Sequence, residues 1–330
     1  MKRNISAAVA VLALFAAVPA LAADAADLRP AYAEDWQPMD DSIRYEFGSR
    51  YWYSWGSQDA EFPVVTPLGT LGNVTLTTRD QTHIGELHGK IEDTYTQTYV
   101  SGKAGLGFST TGTYSIAPAS AGENIGPRSI IGYAGGDFGW LPWGTMDEGF
   151  AFGGLVGYQY WKDAPDIGQG QVGTAFDPVT GAPTAFGPAK DDFDIHALRL
   201  GVKGQANFDM FDIQAEVAAI PYAHVSGNVG GSGSDGFNFA GVPGTFYERS
   251  PTTLSGRGYG LMAEGMVGFH PTENLTVRVG GRAWYLEGAL DAKFTSHNAG
   301  LGGNQTTLDL SSNFARIFRY GALFELTGRF

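Results

Sequence analysis

The stretch Ile43-Arg44-Tyr45-Glu46-Phe47-Gly48-Ser49-Arg50-Tyr51-Trp52-Tyr53-Ser54-Trp55 decides how the rest of the chain is read. Ile43, Tyr45, Phe47, Tyr51, Tyr53 and Trp55 fall on one parity. Arg44, Glu46, Arg50, Trp52 and Ser54 fall on the other. A period of two belongs to a β-strand whose faces meet different surroundings. The split recurs downstream. Leu275, Val277, Val279, Ala283 and Tyr285 alternate with Thr276, Arg278, Arg282 and Trp284. Leu198, Leu200, Val202, Ala206 and Phe208 alternate with Arg199, Lys203, Gln205 and Asn207. The pattern predicts ten strands, near 43–56, 82–91, 95–108, 130–140, 150–162, 194–207, 212–226, 257–269, 275–289 and 314–330.

The connections alternate in length. Gaps 57–81, 109–129, 163–193, 227–256 and 290–313 are long and rich in Gly, Ser, Thr, Asn, Pro or Asp, whereas 92–94, 141–149, 208–211 and 270–274 are short. Long connections on one side and tight ones on the other mark a membrane barrel, with the short side towards the periplasm. A β-sandwich also alternates, but its strands are shorter and it carries no such rhythm. In lipid every strand edge must be paired, so the sheet must close. The expected fold is therefore all-β, a transmembrane antiparallel up-and-down barrel of about ten strands occupying 43–330.

Composition narrows the function. The chain has no cysteine and a net charge of −13, with 17% charged and 13% aromatic residues. Disulfide scaffolds, thiolate metal sites and cysteine nucleophiles are excluded. The acidic balance argues against a nucleic-acid partner. Lys2 and Arg3, the apolar run Ile5 to Pro19 and the Ala20-Leu21-Ala22 site read as a cleaved signal peptide, 1–22. Residues 23–42 read as an acidic periplasmic lead-in. Phe330 shares a face with Phe318, Tyr320, Ala322, Phe324, Leu326 and Gly328. That strand looks like the C-terminal signal outer-membrane barrels present to their assembly machinery. The expected location is a bacterial outer membrane, in contact with bilayer and lipopolysaccharide.

The polar parity would line the lumen: Arg44, Glu46, Arg50, Glu86, His88, Lys90, Lys103, Asp137, Arg199, Lys203, Glu216, Glu264, Arg278, Arg282, Arg319, Glu325 and Arg329. In so narrow a barrel, side chains can fill the interior, and mixed charges there should pair. A solute pathway is the alternative, although selectivity usually uses rings of one sign. Tyr51, Trp52, Tyr53, Trp55, Trp140, Trp143, Tyr158, Tyr160, Trp161, Trp284 and Tyr285 read as interfacial girdles. His83 and His88 would face opposite sides of a strand and make a poor metal pair, so no metal or cofactor is expected.

The ten strands, the five long loops, the segment Phe152 to Gln159 and the hairpin 259–284, with its turn at Gly268 to Asn274, together resemble the omptin family of outer-membrane proteases. The resemblance implies water activated between an Asp pair in the second external loop and an Asp-x-His pair near the fourth. Here 109–129 contains no Asp, and Tyr222 stands two residues before His224. Asp194-Ile195-His196 lies after the third loop, His196 on the lipid-side parity. The leading expectation is a non-enzymatic surface protein whose external ligand is unknown. A narrow channel and an omptin-like peptidase using His224 and Asp235 are the alternatives.

Overall fold

The computed structural model describes residues 42–66, 69–117, 120–146, 149–166, 192–229, 252–297 and 305–330, and the short pieces 175–176, 183–184 and 247–248. The expected signal segment, residues 23–41 of the lead-in and Asp235 lie outside them.

Ten long strands follow in order: β1 Ile43–Thr66, β2 Gly69–Asp93, β3 Thr98–Ala117, β4 Gly126–Gly144, β5 Gly149–Asp166, β6 Asp192–Asn207, β7 Phe211–Val229, β8 Thr252–Thr272, β9 Leu275–His297 and β10 Phe314–Arg329. Each pairs antiparallel with its sequence neighbours. β10 also pairs with β1, from Glu46↔Arg329 to Glu61↔Phe314, so the sheet closes on itself. A transmembrane up-and-down barrel results, with no exposed sheet edge between its first and last strands. Gln305–Ser311 continues the line of β10 and pairs with β9. Ser120–Asn124 folds back on β3.

The tight turns gather at one end, here the turn end. Asp93 builds the first, accepting hydrogen bonds from the Tyr95 and Thr96 amides and the Thr96 hydroxyl. Gly144 adopts φ 92°, a left-handed conformation that suits glycine, just before the next turn. Tyr45 and Phe330 exchange backbone hydrogen bonds at the same end.

Outward-facing aromatics form two levels. Trp140, Trp143, Phe150, Phe211, Phe269 and Phe330 stand exposed near the turn end. Tyr51, Tyr158, Tyr222, Tyr259, Phe318 and Tyr320 stand exposed towards the loop end. Phe150 and Tyr160 on β5, or Phe269 and Tyr259 on β8, are about ten residues apart, the length a strand needs to cross a bilayer. Between the levels the outer wall is exposed Val156, Leu198, Leu200, Val202, Val217, Leu261, Val267, Val279 and Phe324. That wall is the lipid-facing belt.

The strands do not stop at the upper level. β1 runs 24 residues and β2 runs 25. Much of the expected long connections 57–81, 109–129 and 290–313 is therefore strand, a correction to the sequence reading. The cause is a change of pattern. Outside the belt the outward positions become Thr75, Thr77, Arg79, Thr111, Thr113 and Ser255, while Leu76, Tyr114 and Leu254 point in. Small polar residues suggest a loop, yet threonine is β-branched and fits a strand with its outer face in water.

Candidate functional site

The inner wall is built in layers. Nearest the turn end lies a dense ionic network. Arg278 reaches Asp212 at 2.8 Å, Glu325 at 2.6 Å and Glu46 at 3.5 Å. Glu46 also meets Lys90 at 3.0 Å and Arg329 at 2.8 Å, and Lys90 meets Glu92 at 2.7 Å. Arg50 pairs with Glu325, with Glu86 at 3.0 Å and with Glu264 at 3.2 Å. Arg282 joins Glu86 and Glu264, each at 2.7 Å, and Tyr133 Oη at 2.8 Å. On the opposite wall Arg199 holds Asp137 at 2.6 Å and also pairs with Glu216. Lys103 approaches Glu264 at 3.9 Å. Lys203 lies 4.4 Å from the centre of the Tyr99 ring. Arg44 stands exposed at the turn-end mouth, opposite Glu92 on β2. His88 Nε2 meets Thr327 at 3.1 Å inside it.

Above the ions the lumen becomes aromatic. Trp52 of β1, Tyr133 of β4, Trp161 of β5 and Trp284 of β9 converge on the barrel axis. Their ring centres lie 4.9 Å apart for Trp52–Trp284 and Tyr133–Trp284, and 5.0 Å for Trp161–Trp284. All three contacts are edge-to-face, the geometry ring quadrupoles favour. The three tryptophans are 0–2% exposed. Ile84, Ile131, Ile195, Met262 and Leu323 surround them. The sequence reading placed these tryptophans in the girdles. The structure turns them inward because their parity is that of the lumen, whereas Tyr51, Tyr53 and Tyr285 beside them face out.

Cations bracket this aromatic layer. The Arg282 guanidinium lies 5.0 Å from the Trp52 ring centre and 5.5 Å from that of Trp284, on the turn side. Arg319 lies 5.8 Å from the Trp161 ring centre, on the loop side. Two glycines make the packing room. A Cβ on Gly105 would collide with the Tyr133 ring, and one on Gly321 with the Tyr53 carbonyl oxygen of the adjoining strand.

Arg319 belongs to a third, thinner layer. It grips Asp80 through two hydrogen bonds of 2.9 Å and meets Asp163 at 3.5 Å. One guanidinium thus serves two buried carboxyls. Burial, with the neighbouring Asp80, outweighs Arg319 and pushes the Asp163 carboxyl up to about 7. Beyond this layer the interior is apolar again: Phe62, Leu76, Tyr114, Phe193, Leu254, Leu290 and Leu310 pack together. On the outer wall at that height, Asp59 sits between Arg79 and Arg316 at 3.0 Å each. Burial works against its charge, but hydrogen bonds from both arginines hold the carboxyl below its ordinary value.

Among the described residues, His83, His196 and His224 do not converge with an acid in the lumen at the loop end. The parity of Gln214 and Glu216 predicts that His224 faces the lumen, yet it is exposed on the outer wall. The register of β7 shifts between Ile220 and Ala223 against β8, so Pro221 and Tyr222 form a bulge that reverses the parity beyond it. Proline lacks the amide a regular ladder position needs, which favours the bulge there. His196 faces out, with Nδ1 2.5 Å from the Tyr158 hydroxyl, and Asp194 binds Tyr160 and Lys162. His83 and Tyr51 repeat the His196–Tyr158 arrangement at 2.5 Å. An Asp–His contact does occur at the turn end, Asp212 with His270 at 3.1 Å, but Arg278 already holds that carboxylate. Among the described residues there is no group of three or more His, Cys, Asp or Glu arranged to hold a metal ion.

A closed ten-stranded barrel with an apolar belt outside and paired charges inside is an outer-membrane-type β-barrel. Among solved structures the chain is similar to the outer membrane protease OmpT from Escherichia coli, at TM-score 0.58 and 9% identity, over 90% of this chain and 100% of that one. At that identity the likeness concerns the fold, which has the omptin architecture. The translocator domain of the autotransporter NalP from Neisseria meningitidis matches at TM-score 0.31 and 12% identity, over 86% of this chain and 88% of that one. The beta domain of the Bordetella autotransporter BrkA matches at TM-score 0.26 and 12% identity, over 86% and 99%. No family model and no curated protein sequence matches.

Proposed function

We propose that this protein is a non-conducting, non-enzymatic surface barrel of a bacterial outer membrane. Its turn end faces the periplasm, and its extended loop end presents a contact surface to envelope or external partners. The observation that carries the reading is the aromatic layer of Trp52, Tyr133, Trp161 and Trp284 across the lumen, bracketed by Arg282 and Arg319. A channel needs a hydrated route, and four buried rings packed 4.9–5.9 Å centre to centre support a lumen without one at that height. An omptin-like peptidase needs an acid and a histidine converging at the loop end, and His224 stands on the outer wall instead. On this reading bilayer lipid and lipopolysaccharide surround the belt, and the strand ending in Phe330 is the segment the assembly machinery engages.

The absence of native cysteine makes a clean test available. Ser255→Cys on the loop-end outer wall should react with a membrane-impermeant maleimide on intact cells. Tyr95→Cys, at an exposed turn tip, should react only after the outer membrane is opened. The reverse labelling would overturn the orientation. Hydrolysis of a peptide library by the folded wild-type barrel would overturn the non-enzymatic reading.

A further inference from the structure

We propose that the turn-end half of the lumen is a binding site for a small inorganic anion, held by Lys203 with Lys103 beside it. The argument begins with the allocation of charges. The Glu46 carboxylate is taken by Lys90, Arg278 and Arg329. Glu264 is taken by Arg50 and Arg282, and Asp137 and Glu216 by Arg199. Lys103 has only the long 3.9 Å approach to Glu264. Lys203 has no carboxylate within 4.0 Å among the described residues, although it is only 8% exposed. Its ammonium lies over the face of Tyr99, which orients it without neutralising it. Glu216 across the strand pair, with Glu92 and Glu46, acts on it only from beyond 4.0 Å, and a buried ammonium with no direct counter-ion is costly, a cost that a bound anion lowers.

The space for such an ion is present. A cavity of about 70 Å³ is lined by Lys203, Lys103, Lys90, Arg50 and Arg278 on the cationic side. Its acids, Glu46, Asp137, Glu216 and Glu264, are held by Lys90 and by arginines, which leaves the Lys203 ammonium facing the space without a direct partner. A single water claims about 30 Å³ of liquid. The cavity therefore has room for chloride with a water, or for one small oxyanion. His88 also lines it, and its Nδ1 is buried without a hydrogen-bond partner. The Thr327 hydroxyl donates to Glu325, so His88 Nε2 carries the ring proton towards Thr327 and Nδ1 is an acceptor for a water beside the ion. The aromatic layer closes the loop side, so the ion enters from the turn end. Neither an enzymatic nor a surface role is needed for this site.

The test uses the full chain folded in detergent. Its urea midpoint is measured in chloride, in phosphate and in gluconate, at one ionic strength and one pH. Chloride or phosphate should raise the midpoint saturably over gluconate, because a ligand that binds only the folded state stabilises it. Lys203→Met keeps the stem over Tyr99 and removes the charge, so its midpoint should no longer depend on the anion. If that variant fails to fold, Lys103→Met and the chloride-35 NMR linewidth of the wild type provide the readout. The linewidth should broaden with protein and narrow on competition by phosphate. A midpoint identical in all three anions, or an unchanged response in Lys203→Met, would overturn the proposal. A preference for chloride or for phosphate identifies the ion.

Discussion

Two halves of one barrel solve opposite solvation problems with the same strands. In the belt, Leu200, Val202, Val217 and Val279 face out, and Arg199, Lys203, Glu216 and Arg278 face in. Past the upper aromatic level the order inverts. Thr77, Arg79, Thr113 and Ser255 face out, and Phe62, Leu76, Phe193 and Leu290 face in. The lower half is a membrane protein with a charged centre, and the upper half is built like a water-soluble barrel. The tryptophan layer sits where the two meet. Belt lipid supplies no hydrophobic drive towards the interior, so ion pairs and hydrogen bonds fill the space there. Water outside the upper half restores that drive, and apolar side chains fill the interior instead.

This contrast can be broken most severely at Arg282. Arg282→Met removes the cation from Glu86, Glu264 and three aromatic rings at once. Glu86 and Glu264 are then left to share Arg50, with Lys103 3.9 Å from Glu264, at a cost of about 3–5 kcal/mol. The expected outcome is a large fall in the urea midpoint, read by heat-modifiable gel mobility. A paired comparison comes next. Leu200→Arg, outward in the belt, should cost about 2–4 kcal/mol. Ser255→Arg, outward in the upper half, should stay within about 0.5 kcal/mol. Equal costs would show that both halves meet the same solvent. Gly105→Ala pushes on the Tyr133 ring and should cost about 1–3 kcal/mol through overpacking.

The last effect concerns pH in the upper half. Asp163 in the folded barrel titrates at about 7, above its ordinary 3.8. The folded state therefore holds this proton more tightly than the unfolded chain. Its contribution to stability is greatest below the unfolded value and is lost as pH rises through the folded one. Asp163→Asn should flatten the fall in urea midpoint between pH 4 and pH 7. An unchanged slope in the variant would assign that dependence to other groups.

The belt was legible in the sequence because two unlike solvents impose a strict period of two. Ile43 to Trp55 shows it, and β1 begins at Ile43. The inward parity of Arg50, Arg199 and Arg282 was legible for the same reason. What each arginine pairs with was not, since Arg282 meets Glu86 across 196 positions of sequence. The upper half was read as loop because threonine and serine face water there and blur the contrast. Trp52, Trp161 and Trp284 were assigned to girdles because a tryptophan at a strand end fits either side of the wall, and only parity tells them apart. His224 was misplaced because a bulge at Pro221 and Tyr222 shifts every later parity on β7. In Pro221 the sequence carried a signal for that shift.

Single-channel recording on the folded barrel in a planar bilayer, at two salt concentrations, tests the account most directly. A lumen closed by Trp52, Tyr133, Trp161 and Trp284 predicts no steps from the wild type, and steps from a Trp52→Ala, Trp284→Ala double variant shown to be folded. Reproducible wild-type steps whose size scales with salt would contradict the account.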